Sequence, residues 1–274
     1  MTQRGAAPHA TLPRWTADAT LAAAADAAGV DRIGVDLEAR GKAARQVGRG
    51  TWMSPHVESD LSRLRSVLRT AQLFVRIDPL GPDSRDQVER VLRQGVQVMM
   101  VPMVEDPAAL ADLAAAVAGR ARIVALIETA AGVDRVGELA ALPGVDELHL
   151  GINDLSFSLG LENRFAVLTH DASAAVADAA RAAQKPLGIG GIGRAHDDRL
   201  PVPADLVYAQ LPRLGATATL LGRSFLRGAR GDLAASVSAA RCRLDEWWSA
   251  GPAAWEAARL ELARRTRAPL RSGS

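Results

Sequence analysis

The chain is poor in cysteine, in net charge and in long apolar runs. Its one cysteine in 274 residues, Cys242, excludes an internal disulfide framework, suits a reducing cytosol and reads as a packing residue. The 33 basic and 31 acidic residues leave a formal net charge of +2 and are spread along the chain, so no nucleic-acid surface follows from charge. No uninterrupted apolar stretch has membrane-spanning length, and Met1 to Pro13 has neither an apolar core nor a cleavage pattern. A soluble, untargeted, cytoplasmic protein without membrane contact is expected.

What is present is 48% hydrophobic and 23% charged, enough to bury one large α/β domain, since barrels of that class run to roughly 250 residues. Strand-like apolar runs alternate with Ala-rich amphipathic stretches, an order that favours parallel strands with helical crossovers. Strands are read at 32–38, 73–77, 96–103, 122–128, 146–151, 187–192 and 218–221, with a weaker one near His9 to Leu12. Helices fall at 17–29, 57–70, Ser84 to Arg93, Pro107 to Ala118 and 171–184. The expected fold is therefore α/β, a single (β/α)8 TIM barrel with an extra C-terminal helix. It divides into a disordered or weakly ordered 1–13, a barrel at 14–228, C-terminal helices at 229–266 and a tail at 267–274. A doubly wound open sheet is the alternative, because periodicity does not report closure. Gly188-Ile189-Gly190-Gly191-Ile192-Gly193 reads either as a phosphate loop or as close backbone approach within a barrel strand.

Two segments, Arg122 to Thr129 and Glu147 to Leu155, each end an apolar run on a carboxylate, Glu128 and Asp154. As parallel barrel strands they would end side by side at the rim where such folds keep their chemistry. Both acids would then face one ion, with Mg²⁺ or Mn²⁺ suited to hard oxygen ligands and open positions left for a substrate carboxylate and carbonyl. Asp36 and Glu38 alternate at the end of another strand and share a face. Arg76, inside Leu73 to Ile77, has to point somewhere polar.

Gly29-Val30-Asp31 to Asp36-Leu37-Glu38, Phe74-Val75-Arg76, Gly95 to Met100-Val101-Pro102-Met103-Val104, Leu126-Ile127-Glu128-Thr129 and Pro143-Gly144-Val145-Asp146 to Gly151-Ile152-Asn153-Asp154-Leu155-Ser156-Phe157-Ser158-Leu159-Gly160-Leu161 carry a likeness. The series resembles the HpcH/HpaI aldolase and citrate lyase β-subunit superfamily over about residues 17 to 228. That resemblance implies a phosphoenolpyruvate-binding-type barrel and a class II, metal-dependent aldolase or lyase that acts on a small 2-oxo acid of the pyruvate or oxaloacetate type through an enolate. It implies Glu128 and Asp154 as metal ligands and Arg76 as the group that binds the substrate carboxylate and steadies the enolate. It also implies Asp36 and Glu38 as support for the metal and its water. Asn153, within the same motif as Asp154, is expected at the substrate.

The departures bear on mechanism. Aldolases of this superfamily carry a histidine directly after Asp-x-Glu as part of the general base, and here the position is Ala39. Such a base is typically worth about 10²–10⁴-fold. His56, the nearest histidine along the chain, is the expected substitute if its loop folds inward. His149 is expected to be structural, and His196 is a weak rim candidate. Leu126 replaces the aldolase glutamine, Ile152 the proline of Gly-Pro-x-Asp, and Leu92-Arg93-Gln94-Gly95 the usual Leu-Asp-x-Gly. Ala39 to Arg49 is rich in cations, and Arg40, Lys42 and Arg45 would receive a second carboxylate, a phosphate or an acyl-CoA tail, or else stay solvated. A citrate-type condensing or lyase enzyme using an acyl-CoA, and a noncatalytic anion-binding barrel, are the alternatives to the aldolase reading. Near the C-terminus, Trp247, Trp248 and Trp255 signal burial against the barrel or a second subunit. The resemblance favours the subunit, in a homo-oligomer of three or six chains.

Overall fold

The computed structural model describes residues 8–41, 55–195, 197, 202–226 and 232–267. Its strands are β1 (Pro13–Trp15), β2 (Arg32–Asp36), β3 (Gln72–Arg76), β4 (Val98–Val101), β5 (Arg122–Ile127), β6 (Glu147–Leu150), β7 (Leu187–Ile192) and β8 (Ala218–Leu221). They form one sheet in chain order, and each neighbouring pair is parallel. Thr11 joins the two ends. Its N–H donates to Thr217 O at 2.8 Å and its carbonyl accepts from Thr219 N–H at 3.0 Å. The sheet is thus a barrel and not an open doubly wound sheet. The first strand lies later than the expected His9 to Leu12. That stretch buries Ala10 and Leu12 but pairs only through Thr11 before Pro13–Trp15 takes up the ladder.

The crossovers are α1 (Ala19–Ala27), α2 (Ser59–Val67), α3 (Ser84–Arg93), α4 (Pro107–Val117), α5 (Ala130–Asp134), α6 (Val136–Ala141), α7 (Ile152–Ser158), α8 (Asp171–Ala182), α9 (Ala204–Tyr208), α10 (Gln210–Leu214) and α11 (Arg223–Leu226), with a 3₁₀ turn at Arg164–Thr169. Local chemistry starts several of them. Asp18 accepts the Thr20 and Leu21 N–H groups ahead of α1, and Asp106 accepts the Ala108 N–H ahead of α4, which opens on Pro107, where the missing donor would be unpaired in any case.

Alternation along each strand sorts side chains into two layers. Leu73 and Val75 of β3 and Leu148 and Leu150 of β6 join the large cluster between barrel and helices. Phe74, Val98, Met100, Val124 and Leu126 fill the barrel interior with Trp15 and Leu220, and Trp15 stacks on Phe74 at 4.2 Å. Arg76 shares the interior-facing register of Phe74, while Glu147 and His149 alternate with the outward leucines. At the N-terminal mouth Arg32 Nη1 and Nη2 donate to Glu147 at 2.7 and 2.5 Å, and Arg122 Nε adds a third bond at 3.1 Å. The interior is therefore plugged by ion pairs below, apolar in its middle and polar again at the C-terminal rim.

Two long helices follow, α12 (Leu233–Ala250) and α13 (Pro252–Thr266). Trp247 Nε1 donates to Asp205 at 2.9 Å, Trp255 Nε1 donates to Trp247 O at 2.6 Å, and Trp248 meets Trp255 edge-on at 6.3 Å. Contacts within one chain thus seat all three tryptophans. Cys242, expected in packing, is exposed because its position on α12 faces away from the barrel. Among the described residues no helix is long and apolar enough to cross a membrane.

Candidate active site

Parallel register sets the first half of the site. Asp36 ends β2 directly beside Arg76, which ends β3. Arg76 Nε donates to Asp36 Oδ1 at 2.8 Å and Nη2 to Oδ2 at 2.7 Å, and Nη2 also lies 3.1 Å from Glu38 Oε2. The acids read as sharing a face therefore converge on one guanidinium. Burial works against its charge, but the Asp36 bonds and the negative charges of Asp36, Glu38 and Glu128 outweigh it and hold Arg76 firmly protonated.

Glu128 follows β5 and is buried. Its Oε1 accepts the Met103 N–H at 3.0 Å, from a left-handed backbone at Met103 with φ of 54°, a conformation that costs non-glycine residues energy and tends to mark functional turns. Burial pushes its carboxyl up. The charge of Arg76 and the Met103 bond oppose that, Asp154 and Glu38 add to it, and the balance lies at about 8. Gly151 lets this carboxylate press against the chain, since a Cβ there would stand 2.7 Å from Glu128 Cβ and 2.8 Å from Oε2.

Asp154 is not at the end of a strand, as its apolar run implied. The strand β6 stops at Leu150, Gly151 caps α7, and Asp154 lies in the first turn of that helix, where the positive end of the peptide dipoles favours an acid. Its negative charge still adds to the rise of the Glu128 carboxyl. Asn153 stands exposed beside it, its carbonyl accepting from Ser156 Oγ at 2.6 Å.

The remaining expected residues divide. His56 Nδ1 accepts the Asp36 N–H at 3.0 Å, so the neutral ring carries its proton on Nε2. The histidine reaches the site by bracing β2, not by offering Nδ1 as a base. Arg40 Nη2 binds Asp83 at 3.0 Å, and the Ala39 and Arg40 N–H groups both donate to Asp78 Oδ1 at 2.8 Å. Lys42, Arg45 and His196 lie outside the described residues. Burial in the barrel interior pushes the His149 pKa down to about 4. Two contributors escaped sequence reading, the Met103 amide and the Asp78 anchor, because neither a backbone donor nor a loop acid carries a spacing signal.

The HpcH/HpaI aldolase/citrate lyase family matches residues 15–189. The chain belongs to this family. Solved structures similar to this family member include an HpcH/HpaI aldolase from Desulfitobacterium hafniense (18% identity, TM-score 0.61, covering 78% of this chain and 86% of that one). An HpcH/HpaI aldolase/citrate lyase family protein from Burkholderia cenocepacia is also similar (22% identity, TM-score 0.62, covering 81% and 91%). So is the citrate lyase beta subunit from M. tuberculosis complexed with oxaloacetate and magnesium (21% identity, TM-score 0.59, covering 89% and 99%). At these identities the likeness carries the fold. No curated protein matches.

The donor set of this family member fits a hard divalent cation. Burial and neighbouring acids raise the Glu128 carboxyl to about 8, so near neutral pH it holds a proton that a bound divalent cation would displace. Among the described residues no group of three or more His, Cys, Asp or Glu side chains could hold a metal ion, so Glu128 and Asp154 would act as a pair, with the remaining positions left to water and substrate.

Proposed function

We propose that this lyase-type enzyme is a metal-dependent carbon–carbon lyase or aldolase acting on a small 2-oxo acid, of the pyruvate or oxaloacetate type, through an enolate. The observation that carries the reading is the Asp36–Arg76 fork at the rim, with buried Glu128 under the charges of Arg76, Asp154 and Glu38. Magnesium and oxaloacetate in the M. tuberculosis citrate lyase beta subunit support the ligand class. Glu128 and Asp154 would hold Mg²⁺ or Mn²⁺, and the ion would supply Lewis-acid polarisation of the ketone and carboxylate.

The chain's own groups do the rest. Arg76 commits Nε and Nη2 to Asp36 and Glu38, so Nη1 is the edge it presents to a substrate carboxylate or enolate oxygen. A guanidinium so braced needs no reorganisation as negative charge develops beside it. The apolar floor of Phe74, Met100 and Leu126 keeps water from beneath the reacting carbons, and Leu126, in place of the aldolase glutamine, removes one polar contact to the substrate. His56 holds the Asp36 backbone through Nδ1.

The test is exchange of pyruvate methyl protons into D₂O. Exchange should appear with Mn²⁺ or Mg²⁺ and fall by about 10³-fold in Glu128→Ala. No exchange with either metal would sink the enzymatic reading, and exchange that needs an acyl-CoA would move it to the citrate type.

A further inference from the structure

The geometry points to a second anion subsite, on the opposite side of the rim, in which Arg14, Arg164, Arg194 and Arg223 take a phosphoryl group. Arg14 Nη1 donates to Leu221 O at 2.8 Å where β8 ends, and Arg223 begins α11 two residues later. Arg194, just past β7, donates through Nε to Phe225 O at 2.9 Å within the same short helix. Arg14 and Arg194 thus hang on carbonyls four residues apart in the stretch that carries Arg223, and the charge of Arg223 reaches both Arg14 and Arg164 in the turn after α7.

Elsewhere in the chain, arginines such as Arg32, Arg76 and Arg243 end on carboxylates. Among the described residues these four do not. Two of their N–H groups, Arg14 Nε and Arg194 Nη2, are fully buried without any hydrogen-bond partner. A buried guanidinium N–H left without an acceptor is costly, and burial together with Arg223 brings Arg14 down to about 10. Such a cluster persists where an anion completes it.

A phosphoryl dianion fits better than a carboxylate. It carries two charges and three acceptor oxygens, enough to receive N–H groups from several planar forks at once. The loops after strands 7 and 8 are also where barrels of this architecture commonly bind phosphate. At Gly222 a Cβ would stand 2.9 Å from Ile192 O, so the two strand ends close up beside the arginines with no side chain between them. The glycine run of β7 itself serves close approach within the barrel, since a Cβ at Gly188 would stand 2.2 Å from His149 Nδ1.

The subsite rests on its own residues and not on the metal centre, and the experiment separates the two. Inorganic phosphate is titrated calorimetrically into the full chain at low ionic strength without divalent metal. Saturable binding is expected, weakened about tenfold by Arg223→Gln and by Arg14→Gln and unchanged in Glu128→Ala. Arg223 is exposed, so its variant gives a clean result should the Arg14 variant fail to fold. The proposal is overturned by absence of saturable binding, by an unaltered Arg223→Gln, by loss of binding in Glu128→Ala, or by succinate binding as tightly as phosphate.

Discussion

The two mouths of the barrel hold similar groups in opposite charge balance. At the N-terminal mouth two arginines face one glutamate. Burial would raise the Glu147 carboxyl, but Arg32 and Arg122 hold it below the ordinary carboxylate range. At the acidic side of the C-terminal rim Arg76 faces Asp36, Glu38 and Glu128, and Glu128, with Asp154 adding its charge, is pushed up to about 8. The first arrangement is complete within the chain. The second is short of positive charge, and the proposed cation and substrate would meet that shortage.

The sharpest way to break this contrast is to neutralise one acid at each mouth. Glu147→Gln strands Arg32 and Arg122 and should cost roughly 3–5 kcal/mol of unfolding free energy. Glu128→Gln in the metal-free protein exchanges a carboxyl that is mostly protonated at neutral pH for a neutral amide of the same shape and should change stability little while abolishing activity. Urea titrations of the two variants check both signs.

His149, between the mouths, supplies a pH test. Its folded pKa lies near 4, below the ordinary imidazole value, so it contributes stability that is present above about pH 6.5 and lost as pH falls towards 4. The loss should be on the order of 3 kcal/mol, read from denaturation at pH 7 and 4.5, and His149→Asn should flatten that window.

At the rim, Arg76→Lys keeps the charge but loses the fork and should lower kcat/KM by about 10²-fold, measured on the proton-exchange reaction. The smallest effect belongs to Arg40→Gln. Its exposed pair with Asp83 should contribute less than about 1 kcal/mol, and a change in kcat/KM beyond about twofold would show that Arg40 reaches the substrate.

The barrel was legible because its strands are apolar runs separated by Ala-rich amphipathic stretches, and helices such as Ser84–Arg93 fall where their patterns place them. β1 was not, because three residues are shorter than any periodic window. Asp154 was placed at the end of the apolar run that carries the strand read at 146–151, because Ile152 and Leu155 continue the apolar rhythm of β6, and only Gly151 marks the break to a helix. Asp36 and Glu38 were legible as sharing a face from alternation, and Arg76 as a charged residue inside an apolar strand that has to find a polar surrounding, while their place at the site came from the family resemblance. The Arg32–Glu147 pair spans 115 positions, and such separation leaves no trace in local pattern. The bond from Asp36 to His56 depends on how the intervening chain folds, which spacing does not encode.

Gly151 sets a narrow margin for descent with change. Its backbone, φ −87° and ψ 95°, is one that any residue adopts, so only space forbids a side chain. A single methyl group would occupy the volume held by Glu128 Cβ and Oε2. A lineage that keeps that carboxylate in place is therefore confined to glycine at this position, and loss of the glycine would be an early sign of a barrel retired from its ancestral chemistry.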